Sequence, residues 1–309
     1  MAALLSRKSI CTALLIALGG CDRDAEAPAG EPRAESGGGL CQVANRMIPL
    51  PEGLGESSGL APSHRTPGVF WTHNDSGGDP AVYAFGLDGR IMGTVTVTGA
   101  RNRDWEDMAV GPCAAAGGSC LYLADIGNNA GRRRDPIVLY RVPEPAPGDA
   151  ATAPAERFEA HFPGERHDAE AMFVLPDGRV YLVSKGTGRR APVELFRWPT
   201  PLQAGAVATL ERVRTLAPPP RQPGDEVTGA SASPDGRWVA VRTYSTLALF
   251  PADSITGTGG AALQMDLLPL GESQGEAVAL GDDGSVVLTS EGGGASLPGN
   301  AALLRCTLP

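Results

Sequence analysis

Apolar residues in this chain come in short runs set apart by glycine, proline and aspartate. Runs such as VFWTH (69–73), LYLAD (121–125), VYLVS (180–184) and WVAVR (238–242) are too short for helices and hold apolar residues at consecutive positions. That combination predicts many short strands joined by tight turns. IMGTVTVTG (91–99) alternates instead and predicts a half-buried strand. Three segments align without a gap: EAMFVLPDGRVYLVSKG from Glu170, TGASASPDGRWVAVRTY from Thr228 and EAVALGDDGSVVLTSEG from Glu276. Each places Asp-Gly at the same offset between two apolar runs, where a hairpin turn needs residues that accept positive φ.

Two further copies fit with insertions confined to the turn, one from Ser58 and one from Glu106. A third apolar strand follows each pair, and a fourth follows most. The last copy runs out of chain after ALLRCTLP (302–309), and CQVANRMIPL (41–50) can supply its missing fourth strand. The repeat therefore predicts an all-β chain, a β-propeller of five four-stranded blades closed by an N-terminal strand. Six blades, with the extra one in 143–166 or 199–225, are the alternative.

Composition narrows the class further. The chain has 41 glycines and 27 prolines, roughly twice the usual share, which excludes a helical bundle. The net charge of -9 argues against nucleic acid as a partner. The N-terminus reads as an export signal: Arg7 and Lys8, an apolar run from Ile10 to Gly20 too short to cross a bilayer, then Leu18-Gly19-Gly20-Cys21. That ending resembles the lipobox of bacterial lipoproteins, in which the cysteine is acylated. Residues 1–20 are then a signal peptide, 21–40 the lipidated Cys21 with a disordered spacer, and 41–309 a single propeller domain. The expected location is the cell envelope, lipid-anchored and facing the periplasm or the exterior, with the protein a monomer. Once Cys11 is removed and Cys21 lipidated, four cysteines remain, which predicts two disulfides. Cys113 and Cys120 flank a short flexible loop, and Cys41 and Cys306 pair by elimination at the ring closure.

In a propeller the innermost strand of each blade lines the central channel. The first repeat positions, Ser58, Glu106, Glu170, Thr228 and Glu276, therefore converge on the axis. The three glutamates call for protons or a hard cation such as Ca²⁺ among them; hydrogen bonds between blades are the alternative use. A second polar set ends the second strands: Asn74-Asp75, Asp125, Ser184-Lys185, Arg242 and Ser290-Glu291. It should rim one mouth of the channel. Asp104, Asp107 and Asp168 read as solvated or turn residues. Lys185 offers a compact ammonium to an anion or to a carboxylate neighbour. His73, beside the rim, is a weak candidate general base. Arg132-Arg133-Arg134 reads as a solvated loop face or a contact for phosphate or lipid head groups. His-Glu-x-x-His and P-loop motifs are absent from the sequence.

The series NDSGG, RDWEDMAV, YLADIGNN, HDAEAM, SPDGRWVAVRTY, GEAVAL and SEGG resembles a family of secreted bacterial β-propellers. It is similar, more distantly, to phytase-type esterase-like propellers and calcium-dependent propeller lactonases. The resemblance spans about 41–309 and implies a ligand- or metal-binding axial pocket. It implies Glu106, Glu170 and Glu276 as pocket or metal residues, with Asp125 and Glu291 beside them. Asn128 stands where the family commonly carries an aspartate, which takes one ligand from that set. Two functions follow as expectations. The first is binding of a small polar ligand or a protein partner through an acidic, cation-containing pocket that includes Ser58, Asn74, Asp75, Asp125, Thr228 and Glu291. The second is a calcium-dependent ester or phosphoester hydrolase in which Lys185 or Arg242 steadies developing negative charge. A structural interaction module without pocket chemistry is the third class.

Overall fold

The Asp-Gly turns form where the repeat places them: Gly178, Gly236 and Gly284 adopt φ of 83°, 70° and 75°, values a side chain disfavours. Each closes a hairpin between the first two strands of a blade. The computed structural model describes residues 40–114, 117–128, 135–164, 167–187, 191–292 and 298–308. The predicted signal peptide, Cys21, the spacer as far as residue 39 and Arg132 to Arg134 lie outside these residues.

Five four-stranded antiparallel blades make the ring. From the inside outward, blade 1 is Ser57–Pro62, Val69–Asn74, Ala81–Gly86 and Ile91–Thr96. Blade 2 is Trp105–Pro112, Ser119–Asp125, Ile137–Pro143 and Glu156–His161. Blade 3 is Ala169–Val174, Val180–Ser184, Val193–Arg197 and Glu211–Ala217. Blade 4 is Val227–Ala232, Trp238–Thr243, Thr246–Pro251 and Leu263–Asp266. Blade 5 is Gln274–Leu280, Ser285–Glu291 and Asn300–Cys306, completed by Cys41–Pro49 from the start of the domain. The two long connections hold no sixth blade. The first supplies the outer strand of blade 2. The second supplies the outer strand of blade 3 and a short strand, Val207–Thr209, that extends blade 2 in parallel.

Ring closure puts Cys41 directly opposite Cys306, and the two are disulfide-bonded across 265 residues of chain. Cys113 and Cys120 form the second disulfide. Two such bonds belong to an oxidising, extracytoplasmic compartment. No helix among the described residues is long and apolar enough to cross a membrane.

Packing explains the consecutive apolar positions. Each blade is covered on both faces by its neighbours, and five apolar clusters fill the five interfaces. Trp71 and Val82 of blade 1 meet Trp105 and Leu121 of blade 2. Phe158 of blade 2 meets Met172 and Phe196 of blade 3. Tyr181 meets Val239, Leu249 meets Leu304, and Val287 meets Leu60. A fully buried Leu or Phe at such an interface contributes about 2 kcal/mol.

One irregularity recurs in every blade. Pairing between the first and second strands slips by a residue at Ser57/Gly59, Trp105/Asp107, Ala169/Ala171, Val227/Gly229 and Gly275/Ala277. The residue passed over is Ser58, Glu106, Glu170, Thr228 or Glu276, the first repeat position each time. A bulge re-aims a side chain that strict alternation would send elsewhere. Here it lets two consecutive polar residues face the interior, as Glu106 and Asp107 do.

Candidate functional site at the acidic mouth

The bulges sort the inner polar residues into ties and acids. Ser58 Oγ donates to the Glu106 carbonyl at 2.7 Å, joining blade 1 to blade 2. Thr228 Oγ1 donates to the Gly275 carbonyl at 3.0 Å, joining blade 4 to blade 5. Asp107 lies fully buried on the axis. Its Oδ1 accepts the Met108 N–H at 2.8 Å, and its Oδ2 accepts those of Met172 at 2.8 Å and Ala230 at 3.1 Å. One carboxylate thus clasps blades 2, 3 and 4. Burial pushes Asp107 well above the usual carboxylate range, against the pull of these three donors. The expectation that Asp104 and Asp107 are solvated is therefore corrected: both are buried inside the bulged strand entry.

Arg242 is likewise not at the rim. It is fully buried and donates to the Ala277 and Thr289 carbonyls at 3.1 and 3.3 Å, with Glu272 as its ion-pair partner at 2.8 Å. It ties blade 4 to blade 5 and cannot reach a ligand at the mouth. His73 is sealed between blades 1 and 2. Its Nδ1 donates to the Asn74 carbonyl at 3.0 Å, its ring meets Trp105 edge-on, and burial lowers it to about 4. It is neutral, and closed to solvent as a catalytic base.

The remaining acids gather where the inner strands begin. Asp75, Asp104 and Glu106 each bring a carboxylate oxygen within 4.8 Å of the others. Asn102 holds this corner by donating to the Asp75 carbonyl at 2.8 Å, and the Asp104 N–H donates to Asp125 Oδ1 at 3.1 Å. Asn74 turns away, its Nδ2 donating to the Gly53 carbonyl at 2.8 Å. Gly127 closes the corner from behind. A Cβ there would lie 1.6 Å from Glu106 Oε1 and 2.9 Å from Asp104 Cγ, so only glycine fits. Glu106 is 3% exposed, and its Oε1 has no hydrogen-bond partner among the described residues. Burial, then Glu170, Asp75 and Asp104, hold Glu106 well above its ordinary value.

Glu170 adjoins Glu106 and is paired with Lys185, whose Nζ stands 3.1 Å from Glu170 Oε1. Burial raises Glu170 to about 7 while Lys185 pulls it down. Glu276 accepts from Gln274 Nε2 at 2.7 Å, and burial lifts it to about 8. Glu291 is raised to about 7 and Asp75 to about 6, in both cases first by burial. Burial alone would lower the Lys185 ammonium, but Glu170, then Tyr244 and Asp168, carry it well above its ordinary value. The mouth is thus a crowd of carboxyls around one ammonium. Of the predicted metal trio, Glu106 stands with Asp75 and Asp104, Glu170 is engaged by Lys185, and Glu276 by Gln274.

Sequence reasoning missed Asp104 and Asn102, because neither lies on the repeat's first position or on a second-strand end. Gly271-Glu272-Ser273-Gln274-Gly275 matches Gly-x-Ser-x-Gly, but it leads from a short turn, Leu268–Leu270, into a strand. The hydrolase elbow joins a strand to a helix, so Ser273 is no such nucleophile.

A cavity of about 860 Å³ lies at the other end of the channel, among Val110, Pro112, Val174, Pro176, Ala232 and Pro234. Its charged groups are already engaged. Glu144 accepts from Trp71 Nε1 at 3.0 Å and from the hydroxyls of Ser63 and Ser119, and Arg141 pairs with Glu156 at 2.8 Å. Volume favours that end; unspent charge favours the acidic mouth.

No protein-family model matches the sequence, and no curated protein matches it. Solved structures do. The PQQ-bound aldose sugar dehydrogenase of Streptomyces coelicolor is similar over 87% of this chain and 98% of its own, at 13% identity and a TM-score of 0.50. A gluconolactonase of Xanthomonas campestris is similar over 89% of this chain and 91% of its own, at 14% identity and a TM-score of 0.47. At such identities the likeness is one of fold.

Proposed function

We propose that the protein is a lipid-anchored envelope propeller that binds a hard divalent cation, Ca²⁺, at Asp75, Asp104 and Glu106, and a small polar ligand beside it. The observation that carries the reading is the buried Glu106 Oε1, which has no hydrogen-bond donor among the described residues and stands with two further carboxylates. Crowding three such groups, two of them buried, is costly unless protons or a cation sit among them. An all-oxygen donor set suits calcium rather than a soft metal. When bound, the cation supplies a Lewis-acidic anchor for a ligand oxygen. The chain's own part is to hold the ligand: Lys185 presents an ammonium, Tyr244 a hydroxyl, and the Gly127 backbone keeps the Glu106 carboxylate in place. Calorimetry tests the reading. The wild type should take up Ca²⁺ with a Tm increase, and Glu106→Gln and Asp104→Asn should abolish both; retention of binding in both variants overturns it.

A second reading, ester or phosphoester hydrolysis, is favoured by Glu170, Glu276 and Glu291, which at about 7 to 8 can hold or release a proton near neutral pH. Calcium-loaded protein that cleaves none of a panel of phosphomonoesters, aryl esters and lactones removes it. Lipid anchoring through Cys21 is supported by Arg7, Lys8 and the Leu18-Gly19-Gly20 approach. Metabolic labelling with a fatty acid should be lost in Cys21→Ser, and label retained by that variant sinks the anchor.

A further inference from the structure

We infer that the Lys185 ammonium is a built-in counter-ion that restricts the mouth to one external cation, and that without it Glu170 and Asp168 take up a second. This rests on the cation reading of the mouth and extends it to stoichiometry.

The position of the ammonium is built by the fold. The Lys185 N–H donates to the Asp168 carbonyl at 2.8 Å, and its carbonyl accepts from Val227 N–H at 3.0 Å. The backbone is therefore pinned between blades 3 and 4. From there Nζ reaches Glu170 Oε1 at 3.1 Å, with the two side chains 15% and 5% exposed. Asp168 lies alongside; its Oδ2 accepts from Thr187 at 3.3 Å, and the Asn128 backbone N–H is a further donor to its carboxylate. The ammonium also acts on Asp75 and Glu291, pulling both carboxyls down. Lys8 and Lys185 are the chain's two lysines, so every other cation of the domain is a guanidinium. An ammonium is a compact point charge, close in use to a small metal ion, whereas a guanidinium is a flat fork. A second divalent ion next to that charge meets direct repulsion. With the charge removed, the buried Glu170 carboxylate loses its counter-ion and, with the half-buried Asp168 beside it, supplies oxygen ligands of the type calcium takes.

The test is Ca²⁺ stoichiometry by equilibrium dialysis on the full chain. The wild type should bind one ion, Lys185→Met two, Lys185→Arg one, and Lys185→Met with Glu170→Gln one again. The second site of Lys185→Met should be at least about tenfold tighter than any further binding by the wild type. A Lys185→Met protein that gains no ion overturns the inference. If that variant folds only when Ca²⁺ is saturating, the cation has replaced the ammonium and the inference stands; if it stays unfolded with Ca²⁺, the inference fails. A wild type that binds none, beside a Lys185→Met that binds one, sinks the Asp75–Asp104–Glu106 site and leaves the role of Lys185 intact.

Discussion

Glu106 and Asp107 are neighbours in the chain, both buried, and they serve opposite ends. Asp107, on the axis, meets three backbone N–H groups from three blades. Glu106, at the mouth, meets other carboxylates and has one oxygen with no donor among the described residues. Burial alone therefore does not separate structural acids from functional ones. The supply of donors does: an acid whose oxygens are all answered holds the ring, and one left unanswered waits for something from outside.

The largest loss of stability is expected on the axis. Asp107→Ala should leave three buried N–H groups without an acceptor, at about 1–3 kcal/mol each. A loss of roughly 4 kcal/mol or more in urea unfolding is expected; a loss below about 1 kcal/mol would show the clasp to be idle. Glu144→Ala, at the opposite end of the channel, removes the acceptor of Trp71 Nε1 and two serine hydroxyls. It should cost about 2–4 kcal/mol while leaving Ca²⁺ uptake unchanged in calorimetry.

Next comes the mouth itself, where the effect is pH-dependent. Glu276 is held at about 8, above its ordinary 4.5. Between those values the folded chain keeps a proton that the unfolded chain has lost, so stability falls as pH rises through the window. In calcium-free buffer the urea midpoint of the wild type should drop from pH 5 towards pH 8. Glu276→Gln should flatten that slope, and an equally steep slope in the variant would refute the assignment. Gly127→Ala should cost about 1–3 kcal/mol, because the new Cβ drives the buried Glu106 carboxylate and Asp104 aside. Its readout is weaker Ca²⁺ binding together with a lowered Tm.

Much of this is legible in the sequence. The Asp-Gly offsets and the consecutive apolar runs imply the blades, and four exported cysteines imply the two disulfides. The division of labour at the centre was not legible, because it depends on the bulge. Strict alternation lets only one of Glu106 and Asp107 face inward, so Asp107 reads as a solvated neighbour. Arg242 aligns with the rim by count, yet its side chain runs sideways to Glu272 and the blade 5 backbone. Asp104 and Asn102 lie in the connection between blades, where no periodicity identifies them.

Ring closure has a mechanical consequence. The chain enters blade 5 at Cys41, beside Cys306, whose N–H donates to Gly284 in the hairpin turn at the end of the blade away from Glu276. Tension applied ahead of residue 40 would arrive there first and pull on the outer strand like a peeled strip. The Cys41–Cys306 bond sits at that entry point, so the load passes into a covalent link before it reaches a hydrogen bond. The mouth, at the far end of the blades, lies off the line of force.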